Sequence, residues 1–221
     1  MKHTFNLAAA VALLGLGAIQ AQGQSVNFNF SDGTADGWAN TGFGNSPAAS
    51  VTNIGGQNYI AIPLGGFQVA NIGTSDSSTP LYAAMAAAAA NPAGYNISYD
   101  YYINTAAFSG ATFLQLGSFV NTGNGDYFQD FGSPKEVELN GGQLASGQVF
   151  SGHVSINMAA AGLSMAAGQT FFRVGLIENG GGTGVVVDFS NISLAPIPEP
   201  STLALAGLGA IGVLLRRRRH A

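Results

Sequence analysis

Ile97-Ser98-Tyr99-Asp100-Tyr101-Tyr102-Ile103 is the stretch on which the fold turns. Its aromatic and β-branched content favours an extended strand. Around it the apolar residues recur mostly with period two. Val26-Asn27-Phe28-Asn29-Phe30 alternates cleanly and places Val26, Phe28 and Phe30 on one face. Asp32-Gly33 then supplies a turn. Further strands are predicted over Tyr59 to Ile62, Thr112 to Val120, Glu136 to Leu139, Val149 to Ile156, Thr170 to Ile177 and Val185 to Leu194. Gly141-Gly142 and Asn179-Gly180-Gly181-Gly182 punctuate the series. About eight or more short strands with regular turn signals predict an all-β body, a β-sandwich or jelly roll.

One segment breaks the alternation. Leu81 to Ala90 is rich in alanine and favours a helix by propensity, ended by Asn91-Pro92. It is expected to be a short helix or loop covering one sheet edge. Met158 to Ala167, interrupted by Gly162, reads as a connection.

Both ends of the chain differ from this body. Lys2 and His3 precede a 13-residue apolar stretch, Leu7 to Ile19, and small residues follow it. That order predicts a secretory signal peptide over residues 1–23. At the other end, Pro198-Glu199-Pro200 is followed by an apolar run from Leu203 to Leu215 and then by Arg216-Arg217-Arg218-Arg219. Prolines end regular structure, and adjacent arginines resist crossing a bilayer, so they act as a cytoplasmic stop. Ser201 to Leu215 offers 15 residues. A permanent span needs roughly 20, which sets a removable membrane helix against an ordinary anchor. The division is therefore 1–23 signal, 24–195 body and 196–221 tail.

The body carries ten acids and only two bases, Lys135 and Arg173, for a charge of −8. Nucleic acid is excluded as a partner, because phosphate binding requires clustered Lys and Arg. The absence of cysteine excludes disulfides, thiol catalysis and thiolate metal sites.

The order Pro198-Glu199-Pro200, apolar run, arginine block resembles the PEP-CTERM sorting tail of Gram-negative bacteria. The resemblance implies export, transient anchoring in the inner membrane, and recognition by an exosortase, a membrane protease-transpeptidase. Delivery to the cell surface or an extracellular polysaccharide matrix follows from it.

The body's two ends are similar to the carbohydrate-binding jelly-roll superfamily of exported bacterial proteins. The matching stretches are Phe28-Asn29-Phe30-Ser31-Asp32-Gly33 with Gly37-Trp38, and Phe172 to Ile177 with Val187 to Leu194. In that superfamily acids commonly stand where this chain has Ser31 and Ser190, and they help hold a structural calcium ion. Asp32 and Asp188 lie nearby in sequence and are the expected substitutes if calcium is bound; no other cofactor is expected.

Within the body, three groups of residues can carry chemistry. Asn124, Asp126, Tyr127, Phe128, Asp130 and Phe131 mix oxygen acceptors with aromatic rings. Such a mixture stacks on sugar faces and bonds their hydroxyls, making a glycan-binding loop; the alternative is a hairpin loop whose rings fold back onto the core. Glu136 and Glu138, two apart on a strand, share a face on the order of 7 Å apart, close to the spacing of an inverting glycosidase. A solvated edge strand gives the same pattern. His153 alternates with Ser151 and Ser155 opposite Val154 and Ile156, which predicts a polar, exposed histidine, and no nucleophile motif accompanies it. The reading is an exported surface or extracellular-matrix protein with a non-enzymatic β-sandwich body, either a polysaccharide binder or a matrix component; a secreted polysaccharide hydrolase of the same architecture is the alternative.

Overall fold

The computed structural model describes residues 23–40, 49–63, 67–122, 129–130, 136–159, 172–183 and 186–198. Gly23–Pro196 forms one compact unit, distinct from the terminal segments Met1–Gln22 and Ile197–Ala221. Twelve strands among the described residues build two antiparallel sheets, in keeping with the sandwich the alternating pattern predicts.

Sheet 1 runs β10 (Val149–Asn157), β6 (Tyr95–Asn104), β12 (Val186–Pro196), β4 (Gln57–Pro63), β3 (Ser50–Ile54), and β1 (Val26–Phe28) also pairs with β12. Sheet 2 runs β2 (Ala39–Asn40), β5 (Phe67–Thr74), β11 (Phe172–Thr183), β7 (Ser109–Thr122), β8 (Gln129–Asp130), with β9 (Val137–Asn140) also on β7. Most neighbours in each sheet are distant in sequence, so long connections cross between the layers, as jelly rolls require.

Strand β12 organises sheet 1. Its first half pairs with β4, Val186↔Pro63 to Phe189↔Ile60. Its second half pairs with β1, Ile192↔Phe28 to Leu194↔Val26. Along its other edge β6 follows throughout, with a register shift between Ser190 and Ser193. Asn191 sits in that bulge with φ 48, a left-handed conformation that asparagine tolerates better than most residues. The bulge is thus where one edge of β12 changes partner from β4 to β1.

The strand period sends one face of each sheet inward. Tyr99 on β6 and Phe189 on β12 meet edge to face at 5.5 Å, both fully buried. Ile60, Ile62, Ile97, Ile103, Leu114, Leu116, Val187, Ile192 and Leu194 fill the layer around them. Trp38 is buried against Phe28, with ring centroids 5.6 Å apart.

A polar tie crosses this core. The Tyr99 hydroxyl donates to Glu136 Oε2 at 2.6 Å. Ser118 on β7 donates to Glu136 Oε1 from its backbone N–H at 3.0 Å and from its hydroxyl at 2.6 Å. One carboxylate therefore joins a strand of sheet 1 to a strand of sheet 2. Burial, and then the Glu136 charge, holds the Tyr99 phenol far above its usual range, so it stays a donor.

The alanine-rich segment forms helix α1 (Pro80–Ala90). Thr79 caps it, its hydroxyl accepting from the Tyr82 N–H, and Pro80 starts the first turn. Leu81, Ala84, Met85 and Ala88 are buried, the spacing of one helical face. The sequence suggests cover for a single sheet edge. Instead α1 packs against β1 and β12 of sheet 1 and also β5 and β11 of sheet 2, bridging both layers.

Four strands escape the sequence pattern: β2, β3, β5 and β8. Strands β3 and β4 form a two-residue hairpin in which Ile54 pairs with Gln57. Gly55 and Gly56, both at positive φ, make the turn that suits the strand twist.

Replacing Tyr99 with phenylalanine removes a single oxygen but leaves a part-buried carboxylate one donor short. Urea unfolding is expected to show a loss of about 1–3 kcal/mol. An unchanged midpoint would mean that the inter-sheet bond contributes nothing.

Candidate functional site

Most of the predicted glycan loop, Asn124, Asp126, Tyr127, Phe128 and Phe131, lies outside the described residues. Asp130 belongs to β8 and is paired with Phe119 of β7 in sheet 2. In the tail, Pro198 is described, whereas Glu199, Pro200 and Arg216, Arg217, Arg218 and Arg219 lie outside the described residues.

The paired carboxylates divide into two roles. Glu136 has both oxygens engaged by Tyr99 and Ser118. Glu138 is exposed and its Oε1 accepts from Gln115 Nε2 at 3.2 Å. A general base needs an oxygen free to take a proton from water. The Glu136 carboxylate spends its oxygens holding the sheets together.

The opening and closing motifs do meet, as the resemblance implies. Asn29, Ser31, Gly56, Gln57, Asn58 and Asn191 line a pocket of about 400 Å³ between them. Ser190 is fully buried; its hydroxyl donates to the Asn58 carbonyl at 2.8 Å and accepts from Gln57 Nε2 at 3.0 Å. These bonds occupy the position where an acid would otherwise be expected. The lining is amide and hydroxyl only, and calcium needs 6–8 oxygens with carboxylates usually among them. The donor set does not fit calcium.

Nor do the two expected substitutes reach this pocket. Asp32 is exposed in the turn after β1, and its Oδ1 accepts from the backbone N–H and hydroxyl of Thr34, both at 2.8 Å. Those bonds lower its pKa. Asp188 lies in the half of β12 paired with β4, opposite Ala61 and Tyr102. Among the described residues no three Asp, Glu or His side chains gather as a metal site would require. Asp32 in its turn and Asp188 on β12 are both absent from the lining of this pocket.

The outer face of sheet 1 holds the arrangement that sequence reasoning missed. Val187 and Phe189 point into the core, so Asp188 between them points outward. Cross-strand register sets Ala61 on one side of it and Tyr102 on the other. Tyr59, two residues before Ala61 on the same face of β4, brings its ring to 6.1 Å from that of Tyr102, tilted by 52°. Asp188 is only 7% exposed beneath this pair, and its Oδ1 has no hydrogen-bond partner. Burial pushes its pKa up from 3.8 to about 6. Burial, and then the nearby Asp100 and Asp188 charges, raise the Tyr59 phenol as well.

Beside it, Asp100 on β6 is held from both sides. Its Oδ1 takes a 2.6 Å hydrogen bond from His153 Nδ1 on β10, and its Oδ2 takes one of 2.6 Å from Asn191 Nδ2 at the bulge. His153 is exposed, on the polar face the alternation predicts. Among the described residues no serine hydroxyl is bonded to its ring, and the bond it makes orients Asp100.

Residues 196–219 match the model of the PEP-CTERM protein-sorting motif. The tail therefore marks the chain for export and C-terminal sorting to the cell surface, the route on which exosortase acts. No curated protein matches the sequence. Among solved structures, the chain is similar to a carbohydrate-binding module specific for non-crystalline cellulose, CBM28, at 15% identity and TM-score 0.50, covering 75% of this chain and 91% of that one. It is also similar to the CBM22-1 xylan-binding domain of Paenibacillus barcinonensis Xyn10C, at 12% identity and TM-score 0.45, covering 79% and 95%. The first likeness establishes a β-sandwich fold shared with that cellulose-specific module.

A carboxyl whose folded pKa is raised contributes most below its unfolded value and loses that contribution as pH rises through the folded one. Wild-type protein should therefore lose about 2–3 kcal/mol between pH 4 and pH 8 through Asp188. The Asp188→Asn variant should lack this loss, equalling wild type near pH 4 and exceeding it at pH 8. Parallel pH profiles of unfolding free energy for the two proteins would refute the assignment.

Proposed function

We propose that this is an exported, exosortase-processed protein whose β-sandwich body binds polysaccharide without chemically altering it. Residues 1–23 act as the signal peptide, 24–195 as the binding body, and 196–221 as the sorting tail. Pro198-Glu199-Pro200 serves as the recognition motif and Arg216 to Arg219 as the cytoplasmic stop. The chain is held briefly in the inner membrane of a Gram-negative cell and then delivered to the surface or the extracellular polysaccharide.

The observation that carries the binding reading is the fold likeness to the cellulose-specific module, which extends over three-quarters of the chain. The sorting motif at 196–219 supports the destination. The loop with Asn124, Asp126, Tyr127, Phe128, Asp130 and Phe131 is the proposed contact region on the side of sheet 2. Its rings stack on the apolar faces of sugars, and its amide and acid oxygens bond hydroxyls. The full engagement of Glu136 supports the non-catalytic reading over hydrolysis.

Two measurements test this. Replacing Pro198-Glu199-Pro200 with three alanines should abolish tail cleavage and leave the protein in the membrane fraction; normal release would remove the role given to the motif. In the mature protein, Tyr127→Ala combined with Phe128→Ala and Phe131→Ala should weaken polysaccharide binding about tenfold, and unchanged affinity would exclude the loop.

A further inference from the structure

We propose that the outer face of sheet 1, around Tyr59, Tyr102 and Asp188, is a second binding site, one that takes a neutral, hydroxyl-rich sugar unit. The inference rests on the reading that the body binds polysaccharide, and adds a site on the sheet that does not carry the loop.

Three observations converge there. First, the two tyrosine rings are half-buried and tilted at 52° with centroids 6.1 Å apart, so they form a cradle in place of a flat strip. Phenol rings offer an apolar face to sugar C–H groups and a hydroxyl at the rim. Second, the floor of the cradle is Ala61 and Asp188, cross-strand neighbours on β4 and β12. Alanine leaves room where a larger side chain would fill the gap. Third, Asp188 Oδ1 is a buried acceptor with no hydrogen-bond partner, on a side chain more than nine-tenths buried and close enough for its charge to act on the Tyr59 phenol. An unmet buried acceptor costs free energy, and a ligand hydroxyl removes that cost. The neighbouring row is fixed in advance: His153 and Asn191 clamp both oxygens of Asp100, which leaves Asp188 as the open acceptor.

Charge selects the ligand class. Asp100 and Asp188 face outward, and among the described residues His153 is the one basic group bonded to either, on a body of net charge −8. Uronate-rich or sulfated polymers are repelled, while neutral hexose and pentose units are not. A single hydroxyl donated to Asp188 with a sugar ring laid across the tyrosine faces suits one sugar unit of a longer chain.

The test uses the mature protein with cellohexaose, xylohexaose and mannohexaose as probes, and polygalacturonate as the acidic comparison. The loop variant Tyr127→Ala/Phe128→Ala/Phe131→Ala isolates the sheet 1 site and should retain binding to a neutral hexaose. Adding Tyr59→Ala and Tyr102→Ala to it should weaken that binding by about tenfold or more. Adding Asp188→Asn, which is expected to fold at least as stably as wild type, should do the same by about tenfold. Ring resonances of Tyr59 and Tyr102 should shift on titration with the neutral hexaose and stay fixed with polygalacturonate. If the loop variant binds nothing, or its binding survives the sheet 1 changes, this site is overturned while polysaccharide binding by the loop stands. If wild-type protein binds none of the neutral probes, both fail. Equal response to polygalacturonate would overturn the neutral class.

Discussion

The fold depends on the double pairing of β12. An interior strand normally keeps one neighbour on each edge, but here one edge is shared between β4 and β1. The bulge at Ser190 to Ser193 makes this possible by turning the ladder locally, and it has consequences on both faces. Inward, Phe189 before the bulge and Ile192 after it both reach the core. Outward, Asn191 is swung over to Asp100. At the edge, Ser190 is bonded to the β3–β4 hairpin through Gln57 and the Asn58 carbonyl. A bulge that joins four strands in this way is a designed feature of the sheet.

Polar groups within the sandwich fall into two kinds. Glu136 is fully engaged, its oxygens bridging Tyr99 and Ser118 across the layers, so it stabilises. Asp188 is more enclosed and retains an unbonded oxygen, so it destabilises wherever it is ionised. A chain with so few charges has little reason to keep a buried acid that weakens the fold. Sites where stability has been given up in this manner are where binding chemistry is expected.

Much of the fold is legible in the residues themselves. Strand β6 follows from aromatic and β-branched content, β10 and β12 from a mostly period-two pattern, and His153 lies on the face its neighbours Val154 and Ile156 dictate. Helix α1 follows from alanine propensity between Thr79 and Asn91. Strand β5, Phe67–Thr74, is hidden because alanine, asparagine and glycine dilute its period. The hairpin of β3 and β4 had a readable signal in Gly55-Gly56 flanked by Ile54 and Tyr59. The aromatic cradle is a different case. Tyr59, Tyr102 and Asp188 come from three separated segments, and only the registers β4–β12 and β12–β6 set them side by side. Composition marks each residue as ordinary; the sheet makes them a group.

The pairing of β1 with the end of β12 also fixes how the body carries load. Val26 lies opposite Leu194, so the chain enters and leaves the sandwich at one corner. A pull on the tail is applied along β12, which β6 flanks on one edge and β1 and β4 flank on the other. Such a force shears whole ladders at once and cannot unzip them bond by bond. The C-terminal end of the body is therefore a strand held along both edges, which resists shear better than an edge strand would.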